Sequence, residues 1–222
     1  MGRLGNNMFQ IAVTYAIAKK YKKQAMFSEF PYFNLPPTTI DHENSFVQPI
    51  GHNDVLDIPN LKNLNLIGFF QRHEYFDHIK EFLIKDVFRI PDDWQPNTIA
   101  VHVRRGDFLK DTVNFPVQPI SYYMKALEKL DYKNKQVIFV SDDINYCKEN
   151  FKFAGFRENT DELDDIIFMA NCDAVVMSPS TFSFWGAYLS LRERAIYFPL
   201  HWFSAKSGRN GYEICPEEWI GL

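Results

Sequence analysis

The sequence has 222 residues, enough for one large domain or two small ones. Its 46% apolar and 23% charged residues exclude a disordered chain, and 24 basic against 28 acidic residues (net charge −4) argue against a dedicated nucleic-acid binder. Three scattered cysteines, Cys147, Cys172 and Cys215, with no C-x-x-C, suit neither a disulfide framework nor a cysteine zinc site. A reducing compartment follows. No N-x-S/T sequon occurs, and Arg3, Asn6, Asn7 and Gln10 interrupt any apolar core of a signal peptide. No apolar run approaches the ~20 residues of a membrane span. A cytoplasmic protein is expected, with peripheral membrane contact left open.

In chain order, Gly5 to about Lys23 reads as a helix, with Met8, Ile11, Ala12 and Tyr15 on one face and lysines at its C-terminal end, where the macrodipole favours cations. Gln24–Ser28 reads as a short strand. Residues 31–60 read as irregular, long enough to suggest a functional loop. Leu64–Phe70 reads as a strand and His73–Phe88 as a helix. Ile90–Asn97, with Pro91 and Pro96, is the expected domain junction. Beyond it, strands at Thr98–Val103, Gln136–Ser141, Ala174–Met177 and Ala195–Phe198 alternate with helices at Ile120–Leu130, Glu162–Ala170 and Phe182–Leu191. That alternation predicts βαβ units and a parallel sheet. Ser204–Leu222 has no clear period.

Four constellations could carry chemistry. Gly2, Arg3 and Gly5, followed by Asn6 and Asn7, open a helix; such a loop lets backbone N–H groups approach a phosphate or sugar, or is simply a glycine turn with an Asn cap. His102-Val103-Arg104-Arg105-Gly106-Asp107 ends a strand, where ligands of open α/β sheets bind. An arginine fork there matches two phosphate oxygens, and Asp107 could fix an arginine or act as a base. Ser141-Asp142-Asp143 ends the next strand, placed to meet a ribose or base, with at least one aspartate expected as a helix N-cap. Finally, Asp164-Asp165 precede a helix and a buried strand, after which Ser178–Trp185 offers hydroxyls and N–H groups at a helix start. Trp185 and Leu189 are expected in the core. No D-x-D carboxylate pair, G-x-x-x-x-G-K-S/T loop or G-x-S-x-G elbow occurs. An arginine-based, metal-independent transferase fits better than a metalloenzyme.

The order and spacing of GRLGNNMFQIA (2–12), HVRRGDF (102–108), FVSDD (139–143) and DELDDIIFMANCDAVVMSPSTFSFWGAYL (161–189) resemble the α-1,2-fucosyltransferases, glycosyltransferase family 11. The resemblance spans nearly the whole chain. It implies an α/β, GT-B-like architecture of two Rossmann-like halves, GDP-β-L-fucose as donor and a galactose-containing oligosaccharide as acceptor at its 2-hydroxyl. It also implies inversion at the anomeric carbon, with no metal or other cofactor. By the same resemblance Arg104 holds the β-phosphate and His102 lies near the nucleotide. Asp165 reads the guanine edge, and Ser180, Thr181 and Phe182 surround the diphosphate. Asn6 and the glycine loop face sugar and acceptor.

The expected domains are 1–95 on the acceptor side, 96–205 holding GDP-fucose, and a 206–222 tail. The expected catalytic residues are Arg104, Asp107 and Asn6. The donor-binding set is His102, Arg104, Arg105, Ser141, Asp142, Asp165, Ser180, Thr181, Phe182, Gly2, Arg3 and Gly5.

Two departures from the family pattern stand out. Ser178-Pro179-Ser180-Thr181-Phe182-Ser183-Phe184-Trp185 replaces the usual Asn-Ser-Thr-Phe-Ser-Trp-Trp. Relatives also carry a strand before the glycine loop, which here begins at Met1. The expectation is therefore a reduced, less stable N-terminal half lacking its first strand, with the apolar face of its helix left open. Such a chain would bind GDP but transfer fucose poorly until an upstream strand was restored. Two rival readings are a non-catalytic nucleotide-sugar-binding remnant and another GDP-fucose transferase, such as a protein O-fucosyltransferase relative.

Overall fold

The computed structural model describes residues 2–28, 30–38, 44–49, 56–204 and 210–222. The chain forms two compact units, Met1–Arg89 and Ile90–Leu222.

The first unit is built on α1 (Leu4–Lys20), which buries Met8, Phe9, Ile11, Ala12 and Val13. Its last turn carries Lys19 and Lys20, the cations that suit a helix C-terminus. Strands β1 (Asn44–Val47) and β2 (Leu64–Ile67) pair in parallel. β1 lies in the stretch read from sequence as irregular, part of which falls outside the described residues. Gln24–Ser28 contributes only a bridge, Phe27 to Pro37. His73–Phe88 is not one helix: two 3₁₀ turns, His73–Tyr75 and Asp77–Ile79, lead into the short α2 (Lys80–Phe82) and a π-helical turn, Leu83–Val87. Aromatic packing, Phe9 on Phe76 and Tyr15 on Phe82 and Phe27, ties this segment and the Phe27 stretch to α1.

The expectation that the face of α1 would be left open is corrected at Met8, Ile11 and Ala12, which are at most 4% exposed. The open space lies instead in a cavity of about 730 Å³. Gln10, Thr14 and Ile17 of α1, Met26 and Phe27, and Leu64–Leu66 of β2 are among the residues that line it.

The second unit is a six-stranded, all-parallel sheet: β3 (Gln95–Val103), β4 (Gln136–Ser141), β5 (Gly155–Phe156), β6 (Cys172–Val176), β7 (Ala195–Phe198) and β8 (Ile220–Gly221), in the order β5-β4-β3-β6-β7-β8. β3 pairs with β4 from Thr98–Gln136 to Val103–Ser141, and with β6 from Ile99–Ala174 to Val101–Val176. The strand order therefore reverses direction between β3 and β6, a topological switch point. Helices cover both faces, as a parallel sheet requires. Ile99, Val101 and Val103 pack with Tyr122, Tyr123, Ala126 and Leu127 of α3 (Ile120–Lys129) and with Cys147 of α4 (Ile144–Asn150). On the other face lie α5 (Glu162–Asn171) and α6 (Thr181–Tyr188), the latter bringing Phe182 against His102 of β3.

One side chain closes the far end of this second layer. The Arg194 guanidinium donates to the carbonyls of Met169, Ala170 and Cys172 through Nη1, and to those of Gly186 and Ala187 through Nη2, all at 2.7–3.1 Å. These carbonyls cluster at the C-terminal ends of α5 and α6, where intrahelical donors run out. Burial lowers the Arg194 pKa to about 10, so the group remains cationic at neutral pH. Arg194→Met is expected to cost about 3 kcal/mol or more, because five helix-end carbonyls lose a charged donor together. Arg194→Lys should recover only part of this, since an ammonium cannot fork to two helix ends. Urea denaturation checks both; an unchanged midpoint in Arg194→Met would show that the helix ends need no cation.

Candidate functional site

The second unit gathers its chemistry at the carboxyl ends of β3, β4 and β6. His102, on the last turn of β3, is 3% exposed and lies with its Nδ1 2.6 Å from Ser178 Oγ, just beyond β6. Its ring packs on Phe182, centroids 5.1 Å apart. These contacts span the switch point. The turn from Ser178 is tied to itself: the Ser180 N–H and the Ser183 hydroxyl both donate to the Ser178 carbonyl, at 2.8 and 2.9 Å. Ser180 is the N-cap of α6, its Oγ accepting from the Phe182 N–H at 3.3 Å. Ser180, Thr181 and Phe182 remain partly accessible, whereas Trp185 and Leu189 are buried in the core. The α6 N-terminus thus presents a favourable dipole for an anion, with its Ser180 and Phe182 N–H groups engaged inside the turn.

Arg104 follows β3 directly and is 13% exposed at its side chain. Its Nη2 meets Asp107 Oδ1 at 2.5 Å and its Nη1 meets Asp142 Oδ2 at 2.9 Å. Its Nε is buried with no hydrogen-bond partner. The arginine that Asp107 fixes is therefore Arg104; Arg105 turns away, its Nε 3.0 Å from Asp143 Oδ2 and its guanidinium over the Tyr146 ring at 3.5 Å. Asp143 is also the expected N-cap, accepting from the Tyr146 N–H at the start of α4. Ser141 Oγ donates to the Val103 carbonyl at 2.8 Å and accepts from the Asp143 N–H, so it clasps the ends of β3 and β4. Asp165, in the first turn of α5, accepts from Arg157 Nε at 2.6 Å and Thr160 Oγ1 at 2.8 Å. Among the described residues no group of three His, Cys, Asp or Glu is placed to hold a metal ion.

The fold thus brings together His102, Arg104, Arg105, Asp107, Ser141, Asp142, Ser180, Thr181 and Phe182 in the second unit, with Asp165 on the neighbouring α5. Gly2, Arg3, Gly5 and Asn6 belong to the first unit. There Gly2 has φ +81° and sits so close to Asn6 that a Cβ would lie 2.3 Å from its Nδ2. Asn6 Oδ1 accepts from Gln71 Nε2 at 2.9 Å, and Arg3 rather than an asparagine occupies the N-cap of α1, with no side-chain cap. Two participants were not among the expected site residues. Ser178, the partner of His102, appeared only as the first hydroxyl of the Ser178–Trp185 run. Arg157, which holds Asp165, carried no signal.

Burial, with the Arg104 charge adding to it, lowers the His102 pKa to about 3, so the imidazole is neutral throughout the neutral range. Because the unfolded value of 6.5 is higher, the stabilisation is fully present above about pH 6.5 and is lost as the pH falls towards 3. The slope is up to about 1.4 kcal/mol per pH unit. Urea midpoints measured from pH 7 to pH 4 should fall more steeply for the native chain than for His102→Asn, and parallel curves would show that His102 takes up a proton in the fold.

The sequence matches the glycosyl transferase family 11 profile over residues 4–222. It is 30% identical over 191 residues to an alpha-1,2-colitosyltransferase of Escherichia coli, covering 72% of this chain and 63% of that protein. It is 24% identical to the Escherichia coli O-antigen biosynthesis glycosyltransferase WbnK, covering 100% of this chain and 98% of that protein. It is 28% identical to galactoside alpha-(1,2)-fucosyltransferase 1 of Rattus norvegicus, covering 85% and 62%. The chain thus spans less than two thirds of the length of the first and third of these relatives. A crystal structure of POFUT1 in complex with GDP overlaps 57% of this chain and 48% of its own at a TM-score of 0.35 and 18% identity, too slight a likeness to bear on the fold. The match from residue 4 to residue 222, which takes in the arginine-bearing end of β3 and the turn into α6 alike, identifies the chain as a member of glycosyl transferase family 11.

Proposed function

We propose that the chain transfers L-fucose, with inversion and without a metal, from GDP-β-L-fucose to the 2-hydroxyl of a galactose-containing oligosaccharide. The observation that carries the reading is the position of Arg104 and the α6 N-terminus at the β3–β6 switch point, where an open parallel sheet binds its ligand. In this reading Arg104 and the positive end of α6 at Ser180–Phe182 receive the diphosphate and stabilise the charge that develops on GDP as it leaves. The acceptor oxygen attacks the anomeric carbon, its proton passes to a carboxylate, and the bond to the phosphate oxygen breaks with its electron pair on GDP. Asp107 is the carboxylate. His102 cannot take that part, being buried, bound to Ser178 and far too weak a base. It supports the pocket from below by fixing the Ser178 turn. Ser141, Asp142 and Arg105 hold the loop, and Asp165 with Arg157 forms the guanine side. The first unit, with Gly2, Arg3, Gly5 and Asn6, serves the acceptor.

The identity to a colitosyltransferase supports a neighbouring donor reading, in which a colitosyl group takes the place of fucosyl. A second alternative is a chain that binds the donor without turning it over. Turnover of GDP-fucose against a panel of β-galactosides, with linkage analysis and a colitosyl donor in parallel, separates the three. Among the described residues no helix is long and apolar enough to cross a membrane. Arg104→Lys should weaken GDP binding and turnover roughly tenfold to hundredfold, because lysine cannot make the forked, charge-assisted contact, worth about 1.5–3 kcal/mol. Wild-type kinetics in that variant would reduce Arg104 to a structural ion-pair residue.

A further inference from the structure

Arg104 is shared between two carboxylates that are held very differently. Asp142 is 25% exposed at its side chain, and besides Arg104 Nη1 it accepts the Arg105 backbone N–H at 2.9 Å through Oδ1. It also fills the space over Gly106: a Cβ on that glycine would stand 2.3 Å from Asp142 Oδ2. The loop after β3 is thus wrapped around the Asp142 carboxylate, which anchors both the main chain and the guanidinium. Asp107 reaches the same guanidinium from the other side. Its side chain is 50% exposed and stands on the short 3₁₀ turn Asp107–Lys110, on the solvent side of the loop.

An anionic ligand that seeks the fork of Arg104 finds a carboxylate already paired with each terminal nitrogen and Nε buried, so it competes with both carboxylates for the N–H groups of those two nitrogens. Asp107, the more exposed of the two, regains more of its hydration on release, whereas displacing Asp142 also strips the Arg105 N–H of its acceptor.

We propose that Asp107 is an exchangeable stand-in for the donor's diphosphate on Arg104, and that Asp142 is the fixed positioning residue that keeps the guanidinium aimed while the exchange occurs. Donor binding then frees the Asp107 carboxylate from its ion pair. It becomes available to accept the proton of the acceptor hydroxyl only once the donor is in place. This deepens the reading given above and rests on it.

The two aspartates should respond to neutralisation with opposite signs. Isothermal titration with GDP is expected to show binding about threefold or more tighter in Asp107→Asn, which removes a competing anion, together with a large loss of turnover. Asp142→Asn should bind GDP about tenfold or more weaker, since the amide no longer balances the guanidinium. Gly106→Ala, which presses a methyl group onto the Asp142 carboxylate, should weaken binding in the same sense. Weaker GDP binding in Asp107→Asn, or unchanged binding in Asp142→Asn, overturns the exchange. Should Asp142→Asn not fold, the sign of the effect in the half-exposed Asp107→Asn decides alone. Arg104→Lys in the same titration separates the two levels: GDP binding equal to wild type there removes the arginine clamp itself, whereas lost binding with an Asp107→Asn effect of the wrong sign removes only the exchange.

Discussion

The site of the second unit depends on a cation at the opposite end of the sheet. Crossover helices run antiparallel to the strands they join, so α5 and α6 point their N-termini towards the carboxyl ends of the strands and their C-termini away from them. Both C-termini converge on Arg194, which immediately precedes β7. A single planar group thereby fixes the depth and spacing of two helices and the start of a strand. The Ser178–Phe182 turn and Asp165 are carried on the other ends of those same helices, so the placement of the pocket is inherited from the Arg194 contacts. An ordinary lysine would supply the charge but not the two-sided fork.

The two part-buried arginines show opposite uses of the same group. Arg194 meets only neutral carbonyls, so its charge is balanced by the negative ends of two helix dipoles. Arg104 meets full carboxylates, one from its own loop and one from the end of β4. One positive charge there faces two negative ones, so Arg104 is more than balanced by its own loop. The same guanidinium charge, together with desolvation, keeps His102 uncharged, so the group that links β3 to the Ser178 turn is a neutral hydrogen-bonding strut.

Much of the second unit is legible in the sequence, because its strands are apolar runs bounded by polar turns. Gln136–Ser141 and Ala195–Phe198 fall where the pattern puts them, and Asp143 caps a helix as its position suggests. The extent of the short α4 and the two-residue strands β5 and β8 escape, since so few residues establish no period. In the first unit the apolar residues of 73–88 suggest one helix, but aromatic packing breaks the segment into 3₁₀, α and π turns. The candidate site was legible as strand ends and motifs. Its internal pairing was not, because which aspartate meets which arginine depends on the turn at Gly106, and alternation along a strand says nothing about the residues beyond its end. Arg194 offered no signal, as nothing local marks an arginine before a strand as the cap of two distant helices.

The seam between β3 and β6 has a consequence for how the molecule holds together over time. β3 meets β6 only after the chain has built α3, β4, α4, β5 and α5, so this pairing closes the longest loop at the centre of the sheet and carries the largest ordering cost. The contacts of His102 with Ser178 and Phe182 stitch the seam at its accessible end. Whatever binds across that end, and not to the unfolded chain, closes the seam by mass action, adding RT ln(1 + [L]/Kd) to the work of opening it. Resistance to proteolysis is then set by the solution as well as by the sequence, and a ligand that bridges the switch point acts as a reversible staple on the slowest-forming contact of the fold.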